Sequence, residues 1–265
     1  MRLWLLLAPV VCVLPIQPTV ATQLASTKAP QNQPACPTSG DVRAEFASAV
    51  TASSFRTTEG REVRLAGVIG PGEDGSPASP EIVAAARSTL AATLAGHELR
   101  LAVLNLADRY QRVTAQLFAD GNWLQQAMLR EGLVRVDPGR IAGLCERALY
   151  SAEREGIGAH TGHWADGRFR VKTPDEVTKS AGRFEIVEGE VWRSRDLRGR
   201  EIIEFRNASS FEAAVQPQAA RALRLTHVDL RRLRGKVIRV RGWIGLNDRP
   251  VMEISAAAAL EVIQK

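Results

Sequence analysis

Apolar and polar positions along the chain form short alternating runs, punctuated by Gly, Pro, Asn and Asp, with a few longer stretches of helical period. The run RVTAQLF, 112–118, alternates and is rich in strand formers, so it predicts a half-buried strand. Asp120-Gly121 reads as a turn and Asn122 as the N-cap of a helix. In WLQQAMLREGL the residues Trp123, Leu124, Ala127, Met128 and Leu129 share one helical face. Gly132 ends that helix, and LVRV resumes as extended chain.

Upstream, EFASAV and SSFRTTEGREVRLAGV read as strands with a hairpin turn at Glu59-Gly60. A Gly/Pro/Asp-rich loop, Gly70 to Ser79, precedes PEIVAAARSTLAATLAG, an amphipathic helix capped by Ser79 and stopped by Gly96. HELRLAVLN is a further strand, and RIAGLCERALYSAEREGIG has helical period through Ile141, Leu144, Leu149 and Ala152. Downstream, FEIVEGEVWRS and REIIEFRN read as strands joined by RDLRG. FEAAVQPQAARALRL reads as a helical insertion interrupted by Pro217. GKVIRVRGWIGL alternates strictly, Asn247-Asp248 turns the chain into PVMEIS, and ALEVI closes. The whole is predicted to be mainly β with packed helices, an α+β arrangement, and its last part a small OB-like barrel of five short strands around one helix.

Composition divides the chain. Arg2, the apolar run LWLLLAPVVCVL and small residues at Thr19-Val20-Ala21 read as a signal peptide over 1–21, too short for a membrane span. Residues 22–40 read as a flexible leader, 41–168 as a first domain, 169–182 as a linker and 183–265 as a second domain. The expected location is therefore exported, periplasmic or secreted. The formal net charge is +6, and 183–265 carries 16 basic against 11 acidic residues while 22–182 has 18 of each. The basic excess thus belongs to the second domain. Signal removal leaves Cys36 and Cys145, which in an oxidising compartment form one disulfide or stay as two thiols; sequence holds no geometry to choose. Four scattered histidines and no cysteine pair at metal-ligand spacing give no zinc site.

The residues Asp108, Tyr110, Arg112, Asp120, Gly121, Arg130, Glu131, Gly132 and Leu133, in that order, resemble the signature of the staphylococcal-nuclease (thermonuclease) family. The resemblance implies a five-stranded OB-type barrel with three helices for the first domain, and Trp164 fits the Trp that follows the third family helix. It also implies hydrolysis of DNA and RNA with bound calcium, where the catalytic residues remain. Its two phosphate-holding arginines fall on Arg64 and Arg112, and Arg109 and Tyr110 match positions near the nucleotide phosphate and sugar. A guanidinium suits this role because its planar fork meets two phosphate oxygens.

The acidic partners depart from the family. Calcium takes six to eight oxygens with substantial carboxylate charge. The hairpin turn that supplies them in the family reads Thr51-Ala52-Ser53-Ser54 here, and a further family aspartate is Ile69. Gly70 and Pro71 follow, and the glutamate general base is matched by Gly72. A one-residue slip puts Glu73 at the base position, with Asp74 beside it. Losing a general base costs on the order of 10²–10⁴ in rate. The resulting expectation is a degenerate nuclease domain with no metal and no cofactor, binding phosphate, nucleic acid or another polyanion. An active calcium-dependent nuclease with rearranged acids, using Arg64, Arg112 and Glu73, and an envelope scaffold for a protein partner are the alternatives. In the second domain Arg193, Arg195, Arg239 and Arg241, with Trp243 and Trp192 as stacking surfaces, are the candidate polyanion contacts. Glu188, Glu190, Glu201 and Glu204 interrupt that basic surface.

Overall fold

The computed structural model describes residues 36–105, 110, 112–140, 145–208, 210–246 and 249–263, which fall in one compact unit, Pro34–Lys265. The expected signal peptide, most of the leader, Arg109 and the Asn247-Asp248 turn lie outside the described residues. The protein is α+β, mostly strands, with four α-helices, two curled sheets and a two-stranded ribbon among the described residues.

The first sheet uses β1 (Val42–Ala44), β2 (Phe46–Ala49), β3 (Ser54–Thr57) and β4 (Glu62–Leu65). After β5 (Val68–Ile69) and α1 (Pro80–Leu94), it continues with β6 (Leu99–Asn105), β7 (Arg112–Ala119) and β8 (Asn122–Trp123). Its order is β1-β6-β7-β4-β3-β2, with β8 on β7. β1 and β2 are two halves of one run broken at Glu45; one half pairs with β6 and the other with β3, so the sheet bends round. Only the β4–β7 pairing within this sheet is parallel among the described residues. Then come α2 (Leu124–Arg130), β9 (Arg135–Val136), which pairs with β5, and α3 (Glu146–Ala159).

Local sequence explains these elements. Ser79 Oγ accepts from the Ile82 N–H at the start of α1, and Pro80 follows it where no N–H is needed. The N-cap expected at Asn122 is corrected: Asn122 pairs in β8 with Ala119, and Trp123 occupies the cap without a side-chain cap bond. Gln125, fully buried, anchors α2 to β7 by accepting from the Leu117 N–H (3.1 Å) and donating to the Ala115 carbonyl (3.0 Å). Burial of an amide at no net loss requires both bonds. Gly132 ends α2 at φ +65°, and a Cβ there would meet the Thr161 carbonyl oxygen at 2.2 Å.

The second sheet is β10 (Phe184–Leu197), β11 (Arg200–Phe205), β12 (Glu212–Val215), β13 (Val237–Leu246), β14 (Pro250–Ile254) and β15 (Leu260–Ile263). Helix α4 (Pro217–Leu225) separates β12 from β13. The order is β10-β11-β12-β14-β13-β15, and β10 also pairs with β13, so the path returns to its first strand. The helix expected over 211–225 is corrected. Its first part is the strand β12, and Pro217 begins α4 instead of interrupting it, because the first helical turn has N–H groups without partners anyway.

Cys36 and Cys145 are joined (S–S 2.07 Å) across 109 residues, tying the chain before β1 to the residue that precedes α3. The flexible leader expected over 22–40 is thereby corrected at its end: residues 36–40 are held by this bridge and by Gly40, where a Cβ would meet backbone atoms of Arg100 and Leu101 at 2.5 Å. Each sheet has its own apolar core, and a third cluster of Ile69, Trp164, Phe169, Phe184 and Ile186 joins them. Polar contacts reinforce this seam. The Phe184 N–H donates to the Asp74 carbonyl (2.8 Å), and buried Arg135 donates to Asp74 Oδ2 (2.7 Å) and to the Phe184 carbonyl (3.1 Å). Gly75, at φ +67°, faces the Gly182 carbonyl oxygen so closely that a Cβ would lie 2.1 Å from it. The loop between β5 and α1 is therefore built into the seam.

Candidate functional site

In the β4–β7 pair, Glu62 is opposite Arg112 and Arg64 is opposite Thr114. Side chains alternate faces along a strand, so these four share one face, while Val63, Leu65, Val113 and Ala115 fill the core on the other. Arg64 and Arg112 thus stand two residues apart in register, diagonally across adjacent strands. Arg64 keeps 39% of its side chain exposed and its Nε lies 3.4 Å from Glu62 Oε1. The Arg112 guanidinium sits 4.6 Å from the ring centre of Tyr110, itself exposed. The structure brings Arg64, Arg112 and Tyr110 into the same part of the sheet, and Arg109 lies outside the described residues.

The positions from which the thermonuclease resemblance draws its calcium ligands hold different chemistry. Thr51 Oγ1 and Ser54 Oγ bond to each other at 2.8 Å, and Ile69 is fully buried in the seam. Gly72 has φ +82°, and a Cβ there would meet Val83 of α1 at 2.8 Å, so no carboxylate fits at that position. Among the described residues no group of three or more His, Cys, Asp and Glu is placed to hold a metal ion. These residues do not fit calcium.

Glu73 does reach the hairpin turn. Its Oε1 accepts from Ser53 Oγ (2.9 Å), and its Oε2 is buried without a hydrogen-bond partner. Beside it lies Arg140, which the sequence reading did not single out. Arg140 Nη1 lies 3.3 Å from Ser53 Oγ, 3.3 Å from the Val68 carbonyl oxygen and 3.4 Å from Glu73 Oε1. Its Nε is 3.1 Å from Asp137 Oδ2. Burial raises the Asp137 pKa, against the opposing pull of Arg140. The signal that could have found this cluster is D-P-G-R directly after the β9 strand, a turn that returns a guanidinium toward the residue before it. Asp74, the neighbour of Glu73, points the other way into its pair with Arg135.

The second sheet disperses its expected cationic surface. Arg241 is corrected outright as a polyanion contact: it is 1% exposed. It donates to Glu153 Oε2 of α3 (2.7 Å) and to Glu261 Oε1 (2.9 Å) and stacks over Tyr150 at 4.4 Å. Arg239 and Arg241 do share a face as their spacing requires, but that face turns toward α3 at Arg241. Arg239 donates to Glu188 Oε2 (2.7 Å), its cross-strand neighbour. Arg193 and Arg195 both donate to Glu204 (2.6 and 2.8 Å), and the Arg193 bond is the main cause holding the Glu204 carboxyl below its ordinary pKa. Trp243 is half-exposed and packs edge-on to Phe184 (6.1 Å), against the loop at Gly75. Trp192 is half-exposed with Arg206 and Arg234 each 5.2 Å from its ring centre. No helix among the described residues is long and apolar enough to cross a membrane. Neither a protein-family model nor a curated protein matches the chain.

Proposed function

We propose that the chain is an exported, thermonuclease-like protein with a degenerate nuclease site, which binds the phosphates of nucleic acid or another polyanion without conventional calcium-dependent hydrolysis. The observation that carries the reading is the common face of Arg64 and Arg112 on the parallel pair β4 and β7. Two guanidiniums on one face, two residues apart in register, are spaced to hold successive phosphate oxygens. The strand paths β2-β3-β4-β7-β6-β1 and β10-β11-β12-β14-β13-β10 support two OB-type barrels. Each contains one parallel pair, β4 with β7 and β12 with β14.

Fluorescence anisotropy with single-stranded oligonucleotides tests this. Arg64→Ala and Arg112→Ala each weaken binding about tenfold, as expected for loss of a charge-assisted bond. The double variant lowers the slope of log affinity against log salt by about 1.4, the value for two lost phosphate contacts on a single strand. Unchanged affinity and slope in the double variant would remove the proposal. Calcium-stimulated cleavage abolished by Arg112→Ala would instead support the active-nuclease reading, with Glu73 as its base.

A further inference from the structure

The oxygens around Arg140 come from four separate segments of the first half of the chain. Ser53 belongs to the turn before β3, Val68 to β5, Glu73 to the loop that follows, and Asp137 to the stretch after β9. Together they are two carboxylates, one hydroxyl and one carbonyl. That all-oxygen, doubly negative set is what a hard divalent cation takes. In this protein a guanidinium lies in the middle of it, its Nη1 toward Ser53, Val68 and Glu73 and its Nε toward Asp137. The carboxylates are well shielded, with 12% of the Glu73 side chain and 7% of that of Asp137 exposed, and the guanidinium lies between them. Glu73 Oε2, buried with no partner, is an oxygen that the monovalent guanidinium leaves unused.

We propose that Arg140 is the resident cation of this cage, performing by covalent attachment what a bound divalent ion performs by coordination. Removing its side chain then turns the cage into a divalent-cation site. The inference deepens the function proposed above, since it says what stands beside the hairpin turn where the thermonuclease resemblance implies calcium. It also accounts for a protein that keeps acidic residues near that turn and has no place for the ion.

The test is calcium titration of the purified, disulfide-bonded chain by calorimetry, with the melting temperature followed in parallel. Arg140→Ala is expected to bind calcium with a dissociation constant on the order of 10⁻³–10⁻⁴ M, the range of weak extracellular sites, and to melt higher as calcium is added. The unaltered protein is expected to bind at least about tenfold more weakly at this place, because its guanidinium already neutralises the carboxylates. Adding Glu73→Gln to Arg140→Ala is expected to abolish the gain, and Arg140→Lys, which retains the charge, to show none. If Arg140→Ala does not fold, Arg140→Gln keeps a donor for Ser53 and takes its place in the titration. A folded charge-removed variant with no more calcium affinity than the unaltered protein overturns the inference, as does a gain that survives Glu73→Gln. Oligonucleotide binding by Arg64→Ala/Arg112→Ala, which leaves the cage untouched, is read separately, so failure of either proposal is visible without the other.

Discussion

Arg64 and Arg112 in the first sheet and Arg239 and Arg241 in the second have similar spacing, two residues of register across a strand pair or two residues along a strand. Their surroundings differ. Glu62 lies beside Arg64 on the face that also carries Arg112, and Arg64 remains substantially open to solvent. The second pair meets Glu188 across the ladder and Glu153 and Glu261 at the seam, and Arg241 is buried altogether. Arg64, in the part of the chain with no net charge, is more open than Arg239 or Arg241, and the basic part has matched most of its sheet arginines with glutamates. Net charge therefore locates neither a binding face nor its absence; the cross-strand neighbour decides which arginine is free to meet a ligand.

The comparison breaks first at Arg241. Arg241→Ala leaves buried Glu153 without its ion-pair partner, and should cost about 3–5 kcal/mol of stability, read as a fall in the denaturation midpoint. Arg239→Ala, a few positions away but partly open, should cost about 1 kcal/mol or less. Equal losses would mean that the seam is not where the two arginines differ. Reducing the Cys36–Cys145 bridge, or replacing both cysteines by serine, should cost about 2–5 kcal/mol, since the bridge closes a loop of more than a hundred residues in the unfolded chain.

Smaller effects sharpen the contrast. Glu204→Gln releases Arg193 and leaves Arg195 only its longer ion pair with Glu212 (3.6 Å), and should strengthen oligonucleotide binding by about twofold to tenfold and steepen its salt dependence. If it does neither, those arginines do not face the ligand. The smallest effect is the dependence on pH, and it has opposite sign in the two halves. Glu204 has a folded pKa below its ordinary 4.5, so its contribution is present above that value and is lost as the pH falls through the folded one. Asp137 has a folded pKa above its ordinary 3.8, so its contribution is present below 3.8 and is lost as the pH rises through the folded value. Urea denaturation between pH 3 and 7 should show Glu204→Gln removing part of the acid sensitivity and Asp137→Asn removing part of the opposing trend.

Much of the local architecture was legible in the order of residues. Ser79-Pro80 opens α1, alternation in 112–118 marks β7, and the strict alternation of 235–246 marks β13. Each depends on side chains within a few positions of one another, which is the range that periodicity and capping report. The strand β12 is hard to read from sequence because its four residues run almost directly into Pro217, which starts a helix there. Arg140 was missed because its partners, Ser53, Val68 and Glu73, lie 67 to 87 residues away.

What the sequence determined by itself was most of the run of strands and helices, the alternation that sets Arg64 between the apolar Val63 and Leu65, and the want of carboxylates at Thr51, Ile69 and Gly72. Tertiary structure alone decided which way each sheet face turned. It put Arg241 inside against Glu153, joined Cys36 to Cys145, and placed a guanidinium among the oxygens of Ser53, Val68, Glu73 and Asp137. The reason is that periodicity assigns a side chain to a face, whereas the charge and solvent that face meets are supplied by segments distant in the chain.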